Sequence, residues 1–150
     1  MPARNTPKPS SKAAAKRMRN TPQRDTDIET NIRRALFRLG YRYRIHPRMA
    51  EITRARPYFA FTREKVAVFV DGCFWHWCPK HGTLPNNNAG WWASKLYGNV
   101  ERDRRHDRDL RRAGWKVVRI WEHEPCEAAA RKIERAINAC RSRRVQPETR

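Results

Sequence analysis

Residues 66–81, VAVFVDGCFWHWCPKH, constrain the fold of this chain more than any other stretch. Val66 to Val70 is apolar on both faces, the pattern of a strand covered from above and below. An Asp-Gly step then leads into a loop of cysteines, histidines and large aromatics. Such a strand needs pairing neighbours and helices on both its faces, so the rest of the chain has to build a small layered sheet around it.

The flanking segments fit that requirement. Residues 26–39 place Ile28, Ile32, Ala35, Leu36 and Leu39 on one helical face. Thr26 and Glu29 have capping-box spacing at its start, and Gly40 follows its end. Residues 41–45 alternate like a first strand, and 46–56 read as an irregular basic loop. Residues 57–62 form a second strand, joined to 66–70 by a polar turn. Residues 91–113 predict a long charged helix with a thin apolar face of Trp92, Leu96, Val100 and Leu110, closed by Gly114. A strand over 116–121 follows. A last helix over 127–140 carries Ala129, Ile133, Ala136, Ile137 and Cys140 on one side. The order predicts an α/β domain over 25–141, a small mixed sheet with helices on its faces. Residues 1–24 contain no acidic residue and predict a disordered basic arm, and 142–150 a polar tail.

Charge narrows the function. There are 34 Lys+Arg against 15 Asp+Glu, a formal net charge of +19, which points to a nucleic-acid partner. No apolar run approaches the length of a membrane span, and no apolar segment follows the basic start, so a cytoplasmic chain is expected. Four cysteines in that compartment are metal ligands or core residues before they are disulfides.

Cys73, Cys78 and His81 cluster two thiols and an imidazole, and His123 follows the last strand. Together they can close a tetrahedral zinc site, with Cys126 as the reserve fourth ligand; the other reading makes the cysteines ordinary core. Cys140 sits on an apolar helical face and reads as core. Asp71 ends a buried strand, where carboxylates that hold Mg²⁺ are commonly placed, or it simply forms the Asp-Gly turn. His76 is the best general acid/base candidate, with a fourth zinc ligand as its alternative. Glu29 either reaches the sheet end or only caps its helix. Phe74, Trp75 and Trp92 suit stacking on or wedging between bases, whereas Trp77 packs on the metal lobe. Arg102, Arg104, Arg105, Arg108, Arg111 and Arg112 alternate with Glu101, Asp103, Asp107 and Asp109. That pattern reads as a helix laced with ion pairs, whose surplus positive charge suits a DNA backbone.

RDTDIE at 24–29, the whole of 66–81, NVERDRR at 99–105 and GWKVVRIWEHE at 114–124 together resemble the very short patch repair (Vsr) DNA mismatch endonucleases. The resemblance spans roughly residues 18–141. It implies a restriction-endonuclease-like fold with a structural zinc on Cys73, Cys78, His81 and His123, and Mg²⁺ as catalytic metal. The implied activity is nicking of double-stranded DNA 5′ to the T of a T:G mismatch left by deamination of 5-methylcytosine. A DNA cytosine methyltransferase is the implied functional companion, and a nucleoid-associated monomer the implied form. His76 takes the place of the catalytic histidine and Glu29 that of the first-helix glutamate. Asn99 falls near the metal waters, and Phe74, Trp75 and Trp92 form the wedge. The family carries an Asp on the strand before residues 66–70, and here that position is Tyr58, a poor Mg²⁺ ligand. Asp71, with Glu29 or Glu51, is then the expected magnesium holder. The alternative is a catalytically impaired, zinc-containing mismatch-binding protein. A basic RNA- or ribosome-associated zinc protein explains the charge and cysteines but not the placement of Asp71 and His76.

Overall fold

The computed structural model of the chain describes residues 7–20 and 26–145. Its elements run α1 (Lys12–Asn20), α2 (Asp27–Arg38), β1 (Arg44–Ile45), β2 (Phe59–Phe61), β3 (Val66–Asp71), α3 (Ala89–Arg112), β4 (Lys116–Trp121) and α4 (Cys126–Val145). The strands form one sheet in the order β1-β2-β3-β4. The first two pairings are antiparallel, and β3 pairs with β4 in parallel, Val66 opposite Lys116 through Asp71 opposite Trp121. The expected small mixed α/β sheet is present.

The continuous apolar run of β3 has the predicted cause. Val66 and Val68 face a core built with Ile32 and Leu36 of α2, Val118 and Ile120 of β4, and Ile133 and Ile137 of α4. Ala67 and Phe69 face the opposite way, onto Leu110 of α3 and onto Met49 and Ala55 of the loop before β2. Period-two alternation therefore splits one strand between two cores. It puts Asp71 and Arg119 on the α3 side, in step with Phe69.

Four sequence expectations change at their edges. The first strand shrinks to Arg44–Ile45, because Tyr43 Oη donates to Arg33 O at 2.8 Å and Tyr41 Oη to Glu134 Oε1 at 3.1 Å. Those tyrosines tie the segment to helices rather than extend the ladder. Within the arm expected to be disordered, Lys12–Asn20 is helical; its alanines and lysines are good helix formers, and the Ala14 N–H donates to Ser11 Oγ at 3.1 Å. The rest of that arm, residues 1–6 and 21–24, lies outside the described residues. The last helix begins at Cys126 and continues to Val145, into the expected tail, while 146–150 lie outside the described residues. Finally, the ion-pair lacing of α3 is nearly absent among the described residues. Arg104–Glu101, at 3.1 Å, is its one pair within the helix, and Asp103 and Asp107 turn inward instead. No helix among the described residues is long and apolar enough to cross a membrane.

The parallel pairing delivers Arg119 to a mostly buried position over the Phe69 ring, 4.4 Å from its centroid. There it holds Asp71 and Asp107. Removing one partner of a buried charge set leaves the others uncompensated. Arg119→Met is therefore expected to lower unfolding stability by about 3–5 kcal/mol, read from the urea midpoint. Adding Asp71→Asn and Asp107→Asn to that variant should restore much of the loss.

Candidate active site

The C-terminal end of β3 is a charge network. Arg119 Nη1 donates to both oxygens of Asp71, at 3.0 and 2.9 Å. Its Nε and Nη2 donate to Asp107, the shortest contact being 2.7 Å. These bonds and carboxylate charges outweigh the cost of burying the guanidinium and raise its pKa. Burial raises the Asp71 pKa in spite of Arg119 and His76 beside it.

His76 stands over this network in the loop after β3. Its backbone N–H donates to Gly72 O at 3.1 Å, and its Nδ1 meets Asp103 Oδ2 at 2.5 Å and Asp71 Oδ1 at 3.7 Å. Burial disfavours the charged ring, but the Asp103 hydrogen bond and the charges of Asp71 and Asp103 prevail, so the pKa lies above the ordinary imidazole value. With Nδ1 engaged by Asp103, Nε2 is the ring atom left to exchange a proton.

Asp71, His76 and Glu29 line one cavity of about 190 Å³, together with Tyr58, His46 and Arg56. The structure thus brings Glu29 from α2 to the sheet end, although its Oε2 also accepts the Thr26 N–H at 2.8 Å, so the two roles expected for it coexist. Two carboxylates on one cavity are what Mg²⁺ commonly takes from a protein. Tyr58 adds a neutral, buried phenol whose ring packs edge-on against His46 at 5.0 Å. Glu51 is exposed and lines neither this cavity nor its larger neighbour. Asn99 lines neither cavity; it is buried, and its Nδ2 donates to Trp75 O at 3.0 Å, holding the loop against α3.

The four expected metal ligands converge. The donor atoms of Cys73, Cys78, His81 and His123 lie within 4.8 Å of one another, compatible with one tetrahedral ion. Burial, then Cys78 and Glu122, push the Cys73 thiol up to about 11. The Cys78 turn closes through Gly82, whose N–H donates to Cys78 O at 2.7 Å. A Cβ on Gly82 would stand 2.5 Å from that oxygen and 2.6 Å from the Trp77 ring, so the turn has no room for a side chain. The Trp77 ring borders this turn, yet 37 % of its surface is exposed, about as much as for Trp75, so the expected burial against the lobe is partial. Cys126, the reserve ligand, packs with Cys140 against the main core instead.

Beside this lobe, Phe74 contacts Trp75 and Trp92 with ring centroids 5.0 and 5.4 Å apart, and Trp91 meets Trp92 at 4.9 Å. The three expected wedge residues form one cluster, with 38 % of Trp75 exposed.

From sequence, Asp103 and Asp107 were read only as ion-pair partners within their own helix, and Arg119 and Glu122 were not singled out. Glu122 Oε1 accepts the Cys73 N–H at 2.8 Å, linking β4 to the metal loop. Two signals for the others were present: the helical stripe Asn99, Asp103, Asp107, Leu110, and an arginine inside the apolar strand KVVRIW.

A family model described as DNA mismatch endonuclease Vsr matches residues 8–81. The type II nicking enzyme V.NaeI of Lentzea aerocolonigenes is 43 % identical over 85 % of this chain and 78 % of its own length. The type II nicking enzyme V.NmeAIP of Neisseria meningitidis is 35 % identical over 67 % of this chain and 71 % of its own. The DNA mismatch endonuclease Vsr of Escherichia coli is 34 % identical over 72 % of this chain and 68 % of its own.

The His76–Asp103 contact has a direct readout. NMR titration of His76 should give a pKa above that of a free imidazole, and Asp103→Asn should bring it down. Arg104→Gln, which alters a surface pair on the same helix, should leave it in place.

Proposed function

The chain belongs to the Vsr family of DNA mismatch endonucleases, and on that premise we propose that it nicks double-stranded DNA 5′ to the T of a T:G mismatch. The observation that carries the proposal is the His76–Asp103 pair over a carboxylate-lined cavity, with an aromatic cluster from the same loop and the start of α3 beside it. Kinship with nicking enzymes favours cleavage over a binding-only role. The same premise supports a restriction-endonuclease-like fold, a monomer, and action in the cytoplasm on nucleoid DNA beside a cytosine methyltransferase.

In this reading Phe74, Trp75 and Trp92 insert at the base stack and meet the mispair, while Asn99 keeps the Trp75 backbone in place. Each base step they unstack costs a few kcal/mol, less at a mismatch, which biases the wedge toward damaged sites. In its acid form His76 has a proton on each ring nitrogen: Nδ1–H donates to Asp103, and the Nε2 proton is the one it can give up. The raised pKa favours the imidazolium, which donates the Nε2 proton to the leaving oxygen of the scissile phosphodiester. Asp103 fixes the ring and stabilises its charge, and Arg119 holds Asp71 in register. Asp71 and Glu29 would hold Mg²⁺, which supplies charge stabilisation on the phosphoryl oxygens when bound. Tyr58 takes the position where the family has a further carboxylate. Cys73, Cys78, His81 and His123 would hold a structural Zn²⁺ that fixes the loop carrying both wedge and acid.

The test is a duplex with one T:G mismatch, incubated with Mg²⁺ and either wild type, Tyr58→Asp or the double variant Asp71→Ala, His76→Ala. Wild type should nick well above the double variant. Equal signals sink the proposal, and nicking seen only in Tyr58→Asp replaces it with mismatch binding alone. The acid form of His76 exists below its raised pKa, so single-turnover nicking should fall as pH rises through that value. In Asp103→Asn the fall should move to lower pH. Purified protein should contain one zinc per chain by elemental analysis, and chelation should lower its Tm, since metal binding to a folded site is folding free energy.

A further inference from the structure

The larger cleft beside the active site has no role in the mechanism above. About 880 Å³ in volume, it lies between residues 50–56 and α3, and His76, Asp103 and Arg119 form its inner wall. Arg54 and Arg56 line one side, Arg102 and Arg105 the other, with His106 and Asp109 also on the α3 side. We infer that this cleft is a subsite for a DNA backbone phosphate neighbouring the scissile one, gripped by Arg54 and Arg56 from the loop and by Arg102 and Arg105 from α3. The inference rests on the endonuclease reading, since it supplies the strand that passes His76.

The charge balance of α3 is the first support. Its acidic residues are mostly consumed elsewhere: Glu101 by Arg104, Asp103 by His76 and Asp107 by Arg119. Arg102 and Arg105 are exposed and have no carboxylate partner among the described residues, and the same holds for Arg54 and Arg56. Asp109 is the acidic residue of the cleft not already paired. Four unpaired guanidiniums against it make an anion site, and planar N–H forks match phosphate oxygens two at a time.

The second support is that the loop wall is preformed. Thr53 and Ala55 are each 6 % exposed, and Pro57 is buried as well, so alternate residues anchor the segment. The Ile52 and Thr53 N–H groups both donate to Met49 O at 2.8 Å, and the Ala55 N–H donates to Thr53 Oγ1 at 3.2 Å. Arg54 and Arg56 are the exposed residues between those anchors, so little backbone order is lost on binding. His106 supports the reading from the α3 wall. Burial and then Arg102 hold its pKa below the ordinary value, and an anion in the cleft would reverse that electrostatic effect.

Two paired variants test the subsite in full-length protein carrying His76→Ala to stop turnover: Arg102→Gln with Arg105→Gln, and Arg54→Gln with Arg56→Gln. Arg143→Gln with Arg144→Gln, at the exposed end of α4, has the same change in charge. One phosphate neutralised contributes about 0.9 to the slope of log Kobs against log salt, so each cleft variant should flatten it by up to roughly 0.9 and the α4 variant almost not at all. Single methylphosphonate substitutions within three nucleotides of the mismatch then locate the contact. One position should weaken binding by the parent about tenfold or more and add no loss in a cleft variant. Circular dichroism melts confirm that each variant is folded, and the two walls give independent trials. Slopes matching the α4 variant, or a methylphosphonate profile unchanged by both cleft variants, overturn the inference. So does a cleft that inorganic phosphate fills while no methylphosphonate position responds. Failure of wild type to nick would sink the endonuclease reading alone, because the slopes and the methylphosphonate map are binding measurements.

Discussion

Arg119 is the charge on which the site depends. The inner end of this network holds three carboxylates, Asp71, Asp103 and Asp107, and a single guanidinium reaches toward all of them, with Asp103 the most distant at 4.0 Å. Buried carboxylates are tolerated only when paired. With one cation against three anions the cluster keeps a formal charge of −2, and a protonated His76 reduces it to −1. The same shortage of positive charge that makes Arg119 indispensable makes His76 a ready proton carrier. The Arg119 position is itself a product of strand pairing. Only the parallel register of β4 on β3 sets Arg119 opposite Phe69, two residues from Asp71 on the same face.

The loop after β3 turns that charge arrangement into a working surface. It is held at separate points by different elements: Glu122 on the Cys73 N–H, Asn99 on Trp75 O, and Asp103 on His76. The Cys/His cluster and the crowded Gly82 turn close its far end. Phe74, Trp75 and the His76 ring are therefore positioned by one loop anchored at several points. Such anchoring matters in an active site because a small displacement of a catalytic group costs much of its value.

Much of this was legible from residues alone, for identifiable reasons. The apolar run of β3 reads as a two-sided strand because both its faces are buried. Cys73, Cys78 and His81 are close in sequence, so local spacing reveals them, and His123 follows because it sits one step beyond a strand. Glu29 was recognisable as a cap, and its approach to the sheet end only as one of two options. Asn99 secures a backbone carbonyl, a task that no sequence pattern marks. The ion-pair reading of α3 failed because periodicity reports which side chains share a face, not which of them a neighbouring layer will claim.

By itself the sequence determined the element types from α2 onward, the layered α/β class, the clustering of Cys73, Cys78 and His81 with Phe74, Trp75 and Trp77 in one loop, and the basic character of the whole. Each of these follows from local period, local spacing or composition. Tertiary structure alone decided which charges neutralise each other. The Asp71–Arg119 and His76–Asp103 pairs join residues 48 and 27 positions apart. Drawing Asp103 and Asp107 inward also left Arg102 and Arg105 unbalanced at the cleft. Coulombic partners are chosen by distance in space and by burial, and neither quantity exists until the sheet and its covering helices are assembled.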